Sequence, residues 1–310
     1  MTVGCQSADP VLEETDETKT VVTSFYPLYF FTSELSEGVD NLEVINLIES
    51  GGEPHTYEPS PSQLAKMESA ELMIVQGAGL EPWFEGLEHE LEENGVSLLE
   101  VNSHLDLMAF EEEHDDHEDH NDHEDEHDHD HGEFDPHTWL DPVLALEIVE
   151  HISEELIAMD PENEAIYLAN VALLEEKFTT LNENFEKSLT TCELDAFITS
   201  HDAFSYLAER YGLHAHAVSG ISPFDEPSAN QITDLIEIAE EEGVKHIFFE
   251  VLANSEAAEV LADEAGLTSL VLNPIAGLSK DQSDEDYFTL MYTNLDNLKI
   301  GLTCDELTQR

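Results

Sequence analysis

The chain has 310 residues, enough for two ordinary domains, and sets 72 acidic against 9 basic side chains for a formal net charge of -63. That charge excludes nucleic acid as a partner, and a hydrophobic content of 41%, arranged in periodic blocks, excludes a disordered acidic protein. Like charges at this density repel unless screened, over about 10 Å at 0.1 M salt and about 3 Å at 1 M, so the composition is halophilic, that of a chain built for strong brine.

The chain opens on Thr2-Val3-Gly4-Cys5, which looks like the end of a lipoprotein signal with Cys5 as the lipid anchor, although no apolar segment precedes it. Gln6 to Lys19 is polar and acidic, as a tether between membrane and domain would be. Nothing that follows approaches the roughly 20 apolar residues of a spanning helix. Short apolar runs at Thr20–Ser24, Leu42–Ile48, Leu72–Gln76 and Ser97–Val101 predict four strands, with helical stretches at Phe30–Leu35, Pro61–Ser69 and Pro82–Asn94 between them. This βαβ alternation implies a parallel sheet.

Glu111 to His131 is built almost only of Asp, Glu and His. Beyond it, Pro142–Met159 is helical, and Pro161 to about Leu189 carries Ile166, Leu168, Leu173, Leu174, Phe178, Leu181 and Phe185 at helical spacing, a strut across the molecule. A second set of strands follows at Ala196–Ser200, His214–Ser219, His246–Phe249 and Ser269–Leu272, with helices at Ala203–Tyr211, Ser228–Glu242, Ser255–Ala265 and Tyr287–Gly301. The fold class is therefore α/β: two similar lobes, each a four-stranded parallel sheet flanked by helices, joined by a long backbone helix. The divisions are a tether at 1–19, a first lobe at 20–159 with an acidic loop at 111–133, a linking helix at 160–189 and a second lobe at 190–310. Ligands of open α/β sheets bind outside the carboxyl ends of the strands. Cys192 and Cys304 could pair outside the cell, but spacing does not fix connectivity and the reading leans against a bridge.

Three histidines sit in distinctive phrases beside strand ends or helix starts: His55 in Pro-His-Thr-Tyr-Glu-Pro-Ser-Pro, His137 in Asp-Pro-His-Thr-Trp-Leu-Asp-Pro, and His201 in Ser-His-Asp-Ala-Phe. Any one of them is more often a solvated or hydrogen-bonded loop residue than a ligand. Together, with prolines at 54, 59, 61, 136 and 142 stiffening the loops and Ser200 placed to cap the helix after the third, they suit one zinc ion, since imidazole nitrogen favours zinc over calcium or magnesium. His89, His104, His151, His214, His216 and His246 lack such context and are read as surface or structural.

Five phrases in order carry a resemblance: Ser24 to Tyr29, Glu53 to Pro61, Gly77 to Trp83, Asp135 to Pro142, and Ser200 to Phe204 continuing to Arg210–Leu213. Over about Thr20 to Gly301 the chain resembles the zinc-specific solute-binding proteins of ABC importers, the cluster A-I group that also holds manganese binders, here of a haloarchaeal type. The resemblance implies a monomeric receptor tethered at the outer face of the cytoplasmic membrane. It would hold Zn2+ between two α/β lobes through His55, His137 and His201, with a permease and its ATPase as partners. The chain departs from the family at Ala276, in Asn273-Pro274-Ile275-Ala276-Gly277-Leu278, where one branch has a glutamate ligand. Three imidazoles and a water would then hold the metal, with Glu250, Asp141 and Asp202 as candidates for a fourth ligand or for orienting the rings. Tyr57, Trp83 and Trp139 are expected to pack around the cleft. The acidic run, with His114, His117, His120, His123, His127, His129 and His131, resembles the His-rich loop of zinc importers and would capture metal weakly.

Three rival readings remain. A zinc hydrolase would also use three histidines and a water, but no His-Glu-x-x-His phrase is present and Glu250 is the one obvious base. A manganese receptor of the same fold would need more oxygen ligands. A passive zinc buffer would rely on the acidic run alone.

Overall fold

The computed structural model describes residues 18–109, 134–225, 227–250, 256–282 and 284–304. The first lobe runs β1 (Lys19–Thr23), α1 (Tyr26–Leu35), β2 (Leu42–Asn46), α2 (Pro61–Glu68), β3 (Leu72–Val75), α3 (Glu88–Glu93) and β4 (Ser97–Glu100). Then come α4 (Pro142–Met159) and α5 (Glu164–Leu189). The second lobe runs β5 (Ala196–His201), α6 (Ser205–Tyr211), β6 (His214–Ser219), α7 (Ala229–Glu242), β7 (His246–Phe249), α8 (Glu256–Ala265), β8 (Thr268–Val271) and α9 (Tyr287–Gly301). The sheets have the same order, β2-β1-β3-β4 and β6-β5-β7-β8, and every pairing between neighbours is parallel.

Central strands β3 and β5 are buried throughout, which is why both read as unbroken apolar or small-residue runs, whereas edge strand β8 is largely exposed. Helix starts follow local chemistry. Asp141 accepts from the Val143 N–H ahead of Pro142, and Ser228 and Gln231 cap one another's backbone at α7. Pro27 fits the first turn of α1, so that helix begins at Tyr26, four residues before the predicted start. The predicted helix at Pro82–Asn94 shrinks to α3. The carboxylate of Glu81 turns inward to accept from the N–H groups of Gln76 and Gly77, and single turns then fill the stretch to Leu87.

Helix α5, with 26 residues, is about 39 Å long and packs against α1, α4, α6 and α9. Its buried stripe is Tyr167, Leu174, Phe178, Leu181, Phe185 and Leu189, while Leu168 and Leu173, expected on that stripe, face solvent. Phe178 joins Phe31 of α1 and Tyr287 and Phe288 of α9 in an aromatic cluster with centroid spacings of 4.9–5.7 Å. Both lobes thus share one core along α5. Cys192 and Cys304 are bonded, correcting the expectation against a bridge: α9 runs back beside α5 and brings the two ends together. Among the described residues no helix is long and apolar enough to cross a membrane.

Candidate metal centre

The three phrase histidines converge from three separate segments. His55 lies in a single 3-10 turn, Pro54–Thr56, after β2; Glu53 accepts its N–H at 3.4 Å, while Leu47 O, taking bonds from Tyr57 Oη at 3.0 Å and Gln63 Nε2 at 2.8 Å, closes the loop behind it. His137 precedes the turn Thr138–Leu140, with Pro136 O held by Gln76 Nε2 and Asn102 Nδ2, both at 3.1 Å, and the Thr138 hydroxyl donating to Asn102 at 2.7 Å. Gln76 follows β3 and Asn102 follows β4, so the first sheet's carboxyl edge carries this loop. His201 is the last residue of β5, one position further into the strand than expected, and pairs with Ser219 of β6.

Ring centroids lie 5.3 Å apart for His55 and His137, 5.3 Å for His137 and His201, and 6.1 Å for His55 and His201. One nitrogen from each ring falls within 4.8 Å of the others. His55 Nε2 and His137 Nε2 stand 3.3 Å apart, close to the roughly 3.4 Å between two ligands of a tetrahedral ion with bonds near 2.0–2.1 Å. His137 and His201 are 1% and 2% exposed, so two of the three rings are shut away from bulk water.

Carboxylates fix which nitrogens face inward. Asp135 Oδ1 accepts from the His137 backbone N–H at 2.9 Å and from ring Nδ1 at 2.8 Å, leaving the Nε2 lone pair turned to His55. Glu250, directly after β7, takes both the Nδ1 of His201 and the Ser200 hydroxyl. Burial pushes His137 down to about 3, keeping it neutral, and pushes Asp135 and Glu53 up to about 7. Burial also opposes charge on His201 and Glu250, but their mutual attraction wins: His201 is raised and Glu250 lowered. Asp202 is raised by burial. Buried carboxylates held near neutrality around three imidazoles suit a divalent cation that replaces protons.

The other predicted residues fall elsewhere. Asp141 caps α4 and pairs with Arg210 at 2.7 Å, so it touches no histidine ring; as the residue that starts a helix, its side chain turns back to the backbone. Asp202 accepts the Ser205 hydroxyl at 2.6 Å instead of a ring nitrogen. Ser200 is spent on Glu250 and does not cap α6. Ala276 is buried beside Pro274, whose carbonyl accepts Trp139 Nε1 at 2.7 Å, and among the described residues no carboxylate joins the three-histidine cluster. Trp139 is fully buried, 5.1 Å from the His137 ring and 4.8 Å from Phe25, and Tyr57 and Trp83 meet at 6.3 Å, all in packing roles as expected. Cys5 and the seven histidines of the acidic run lie outside the described residues. Asp135 and Glu53 were missed, yet the signal was present: Glu53-Pro54-His55 and Asp135-Pro136-His137 repeat one acid-proline-histidine pattern.

Residues 21–301 match the family model described as zinc-uptake complex component A, periplasmic. The chain belongs to that family. It is 39% identical over 285 residues to the high-affinity zinc uptake system protein ZnuA of Bacillus subtilis, covering 91% of this chain and 87% of that one. It is 36% identical over 290 residues to the zinc-binding lipoprotein AdcA of Streptococcus pneumoniae, covering 93% of this chain, but it spans only 56% of AdcA's length. The solved Zn(II)-bound ZnuA-like domain of that AdcA superposes with a TM-score of 0.75 at 33% identity, over 92% of this chain and 99% of that domain.

Proposed function

We propose that this chain is the zinc-capturing receptor of an ABC import system, holding Zn2+ between its lobes through His55, His137 and His201 with water as the fourth ligand. The observation that carries this reading is the convergence of three imidazoles whose Nδ1 atoms, on His137 and His201, are taken by Asp135 and Glu250 so that Nε2 faces the shared centre. An all-nitrogen protein donor set favours zinc over manganese. Glu250, the base a zinc hydrolase would need, is occupied on the far nitrogen of His201, which supports a receptor and not an enzyme.

In this reading residues 1–19 tether the domain through a lipid on Cys5 at the outer face of the cytoplasmic membrane, and the chain works as a monomer that docks on a permease driven by an ATPase. The lobes divide at the linking helix, 160–189. The acidic run collects zinc at interchangeable weak sites; in support, Ala109 and Phe134, which flank it in the chain, are bridged, and Met108 O accepts the N–H of Asp135, two residues before His137. The brine habitat rests on the charge of -63.

Competitive zinc and manganese titration at high salt, on the chain lacking 111–133 and on its His55→Ala, His137→Ala and His201→Ala variants, tests the proposal. One tight zinc site lost in each variant is the expected result. Tighter manganese binding, or zinc binding indifferent to all three substitutions, overturns it.

A further inference from the structure

His137 lies on a segment that both lobes hold. From the first lobe, Gln76 and Asn102 donate to Pro136 O, and the Thr138 hydroxyl takes a bond from Gln76 and gives one to Asn102. From the second, Tyr206 Oη donates to Asp135 O at 2.8 Å, Tyr287 Oη donates to Trp139 O at 2.6 Å, and Pro274 O accepts from Trp139 Nε1 at 2.7 Å. Arg210, in the last turn of α6, adds the one charged contact: Nε reaches Asp141 Oδ1 and Oδ2 at 3.0 and 2.8 Å, and a terminal nitrogen reaches Oδ2 at 2.7 Å. The Asp141 side chain is 3% exposed, and its Oδ1 also takes the Val143 N–H at 2.8 Å. One carboxylate thus joins the α6 guanidinium to the first turn of α4.

Composition sharpens the point. Against 72 acids the chain has 9 basic residues, and Arg210 is one of two arginines, the other being the terminal Arg310. A lysine would neutralise a carboxylate; a guanidinium fork meets it along parallel N–H bonds and fixes direction as well as distance. Direction matters here because the Asp141 N–H is bound to Thr138 O and the Leu140 N–H to His137 O, both at 3.2 Å. A shift of Asp141 therefore passes through the single turn Thr138–Leu140 to the His137 backbone. We propose that Arg210 is a positioning residue for zinc capture: by fixing Asp141 it sets the turn that presents His137, so that the second lobe holds His137 in register with its own His201. The proposal rests on the cleft reading above. Metal-binding constellations need to be held within about 0.5 Å, a precision that charge neutralisation alone does not supply.

Three measurements on the full chain at high salt test this: zinc affinity by competition with a chromophoric chelator, the visible bands of the Co2+-loaded chain, and thermal melting of the metal-free chain. Arg210→Gln lowers zinc affinity about ten-fold and weakens the four-coordinate Co2+ bands. Arg210→Lys regains melting temperature but leaves affinity and bands near those of the Gln variant, because an ammonium restores the charge and not the fork. Where the Gln variant does not fold, the Lys variant decides alone. Lys19→Gln is the control for general loss of stability, since it removes the basic partner of another buried aspartate, Asp160 at 2.6 Å, beyond the far end of α4. It lowers melting temperature and leaves affinity and bands unchanged. Affinity and bands unmoved by Arg210→Gln, restored by Arg210→Lys in step with melting, or lost equally in Lys19→Gln overturn the proposal and leave the cleft reading intact. Zinc affinity that survives His137→Ala in the same titration overturns the cleft reading, and this proposal with it.

Discussion

Substituting Glu250→Gln separates two effects of one carboxylate. In the zinc-loaded chain, Glu250 accepts the Nδ1–H of a His201 whose Nε2 faces the ion, and its charge strengthens that imidazole as a ligand; the amide keeps an acceptor oxygen and loses the charge. Removing such a partner costs about 10- to 100-fold in metal affinity, or roughly 1.4–2.7 kcal/mol. In the metal-free chain the same carboxylate raises His201 above its ordinary value, so as pH falls a proton competes with zinc from above the ordinary histidine range downward. Burial alone would lower His201, and in the Gln variant that effect is left unopposed. The variant should therefore lose most affinity at pH 8 and progressively less towards pH 6, because its competitor proton has also been weakened. Competition against a chromophoric chelator at pH 8, 7 and 6 in constant high salt measures both curves. A loss that is equal at every pH, or no loss at pH 8, refutes the assignment of Glu250 to the His201 ring. Asp202→Asn gives the comparison for charge without a ring hydrogen bond, since that carboxylate binds a serine hydroxyl and acts on His201 only through its charge, and its loss at pH 8 should be the smaller.

Cys192→Ser opens a cross-link spanning 112 residues, which costs about 4.7 kcal/mol in chain entropy and, with unfolding entropy of about 2.1 cal/mol/K per residue, lowers Tm by about 7 °C; an unchanged melting curve under non-reducing conditions counts against the bond. Tyr206→Phe removes a hydroxyl that takes the Met108 N–H at 2.9 Å and gives a bond to Asp135 O at 2.8 Å, so it should cost about 1–3 kcal/mol in denaturant titration, with a measurable fall in zinc affinity because Asp135 orients His137. Burial raises Glu81 from its ordinary 4.5 to about 7. The folded chain then keeps a proton that the unfolded chain releases, so stability falls as pH rises through that window, by roughly 3 kcal/mol for this one group. Denaturation midpoints of the metal-free chain at pH 5 and 7.5 should differ in that sense, and Glu81→Gln should flatten the difference.

What could be read from the sequence follows from how local each signal is. Strand positions and parallel pairing were readable because buried strands write continuous apolar runs, and the three cleft histidines because each sits in a stiff, proline-flanked phrase. The orientation of carboxylates was not readable from neighbourhood. Asp141 and Asp202 lie near ligand histidines in the chain, yet one turns back to cap a helix and the other binds Ser205, while Glu250, 49 residues from His201, reaches its ring because β5 and β7 are neighbours. The disulfide has the same character: its ends meet only because α9 returns along α5.

Where adjacency did carry information, it came through backbone geometry. In both acid-proline-histidine phrases the acid accepts the N–H of the histidine two residues on, at 3.4 Å for Glu53 and 2.9 Å for Asp135. Proline between them restricts the backbone, so the acid is held close to the histidine amide before any tertiary contact forms. His201 ends a buried strand, where backbone bonds are already committed to β6, and its carboxylate must come from across the sheet. The cleft therefore joins two preset histidine turns to one imidazole that becomes a competent ligand only after β7 has docked on β5. Loss of zinc binding on slight destabilisation of the second lobe, with His55 and His137 still in place, is what this arrangement requires. Ile247→Ala, buried in β7 against β5, should weaken zinc binding well before it unfolds the first lobe. Hydrogen exchange resolved by lobe would show it, and simultaneous loss of protection in both lobes would mean that the shared core along α5 couples them too tightly for the second to loosen alone.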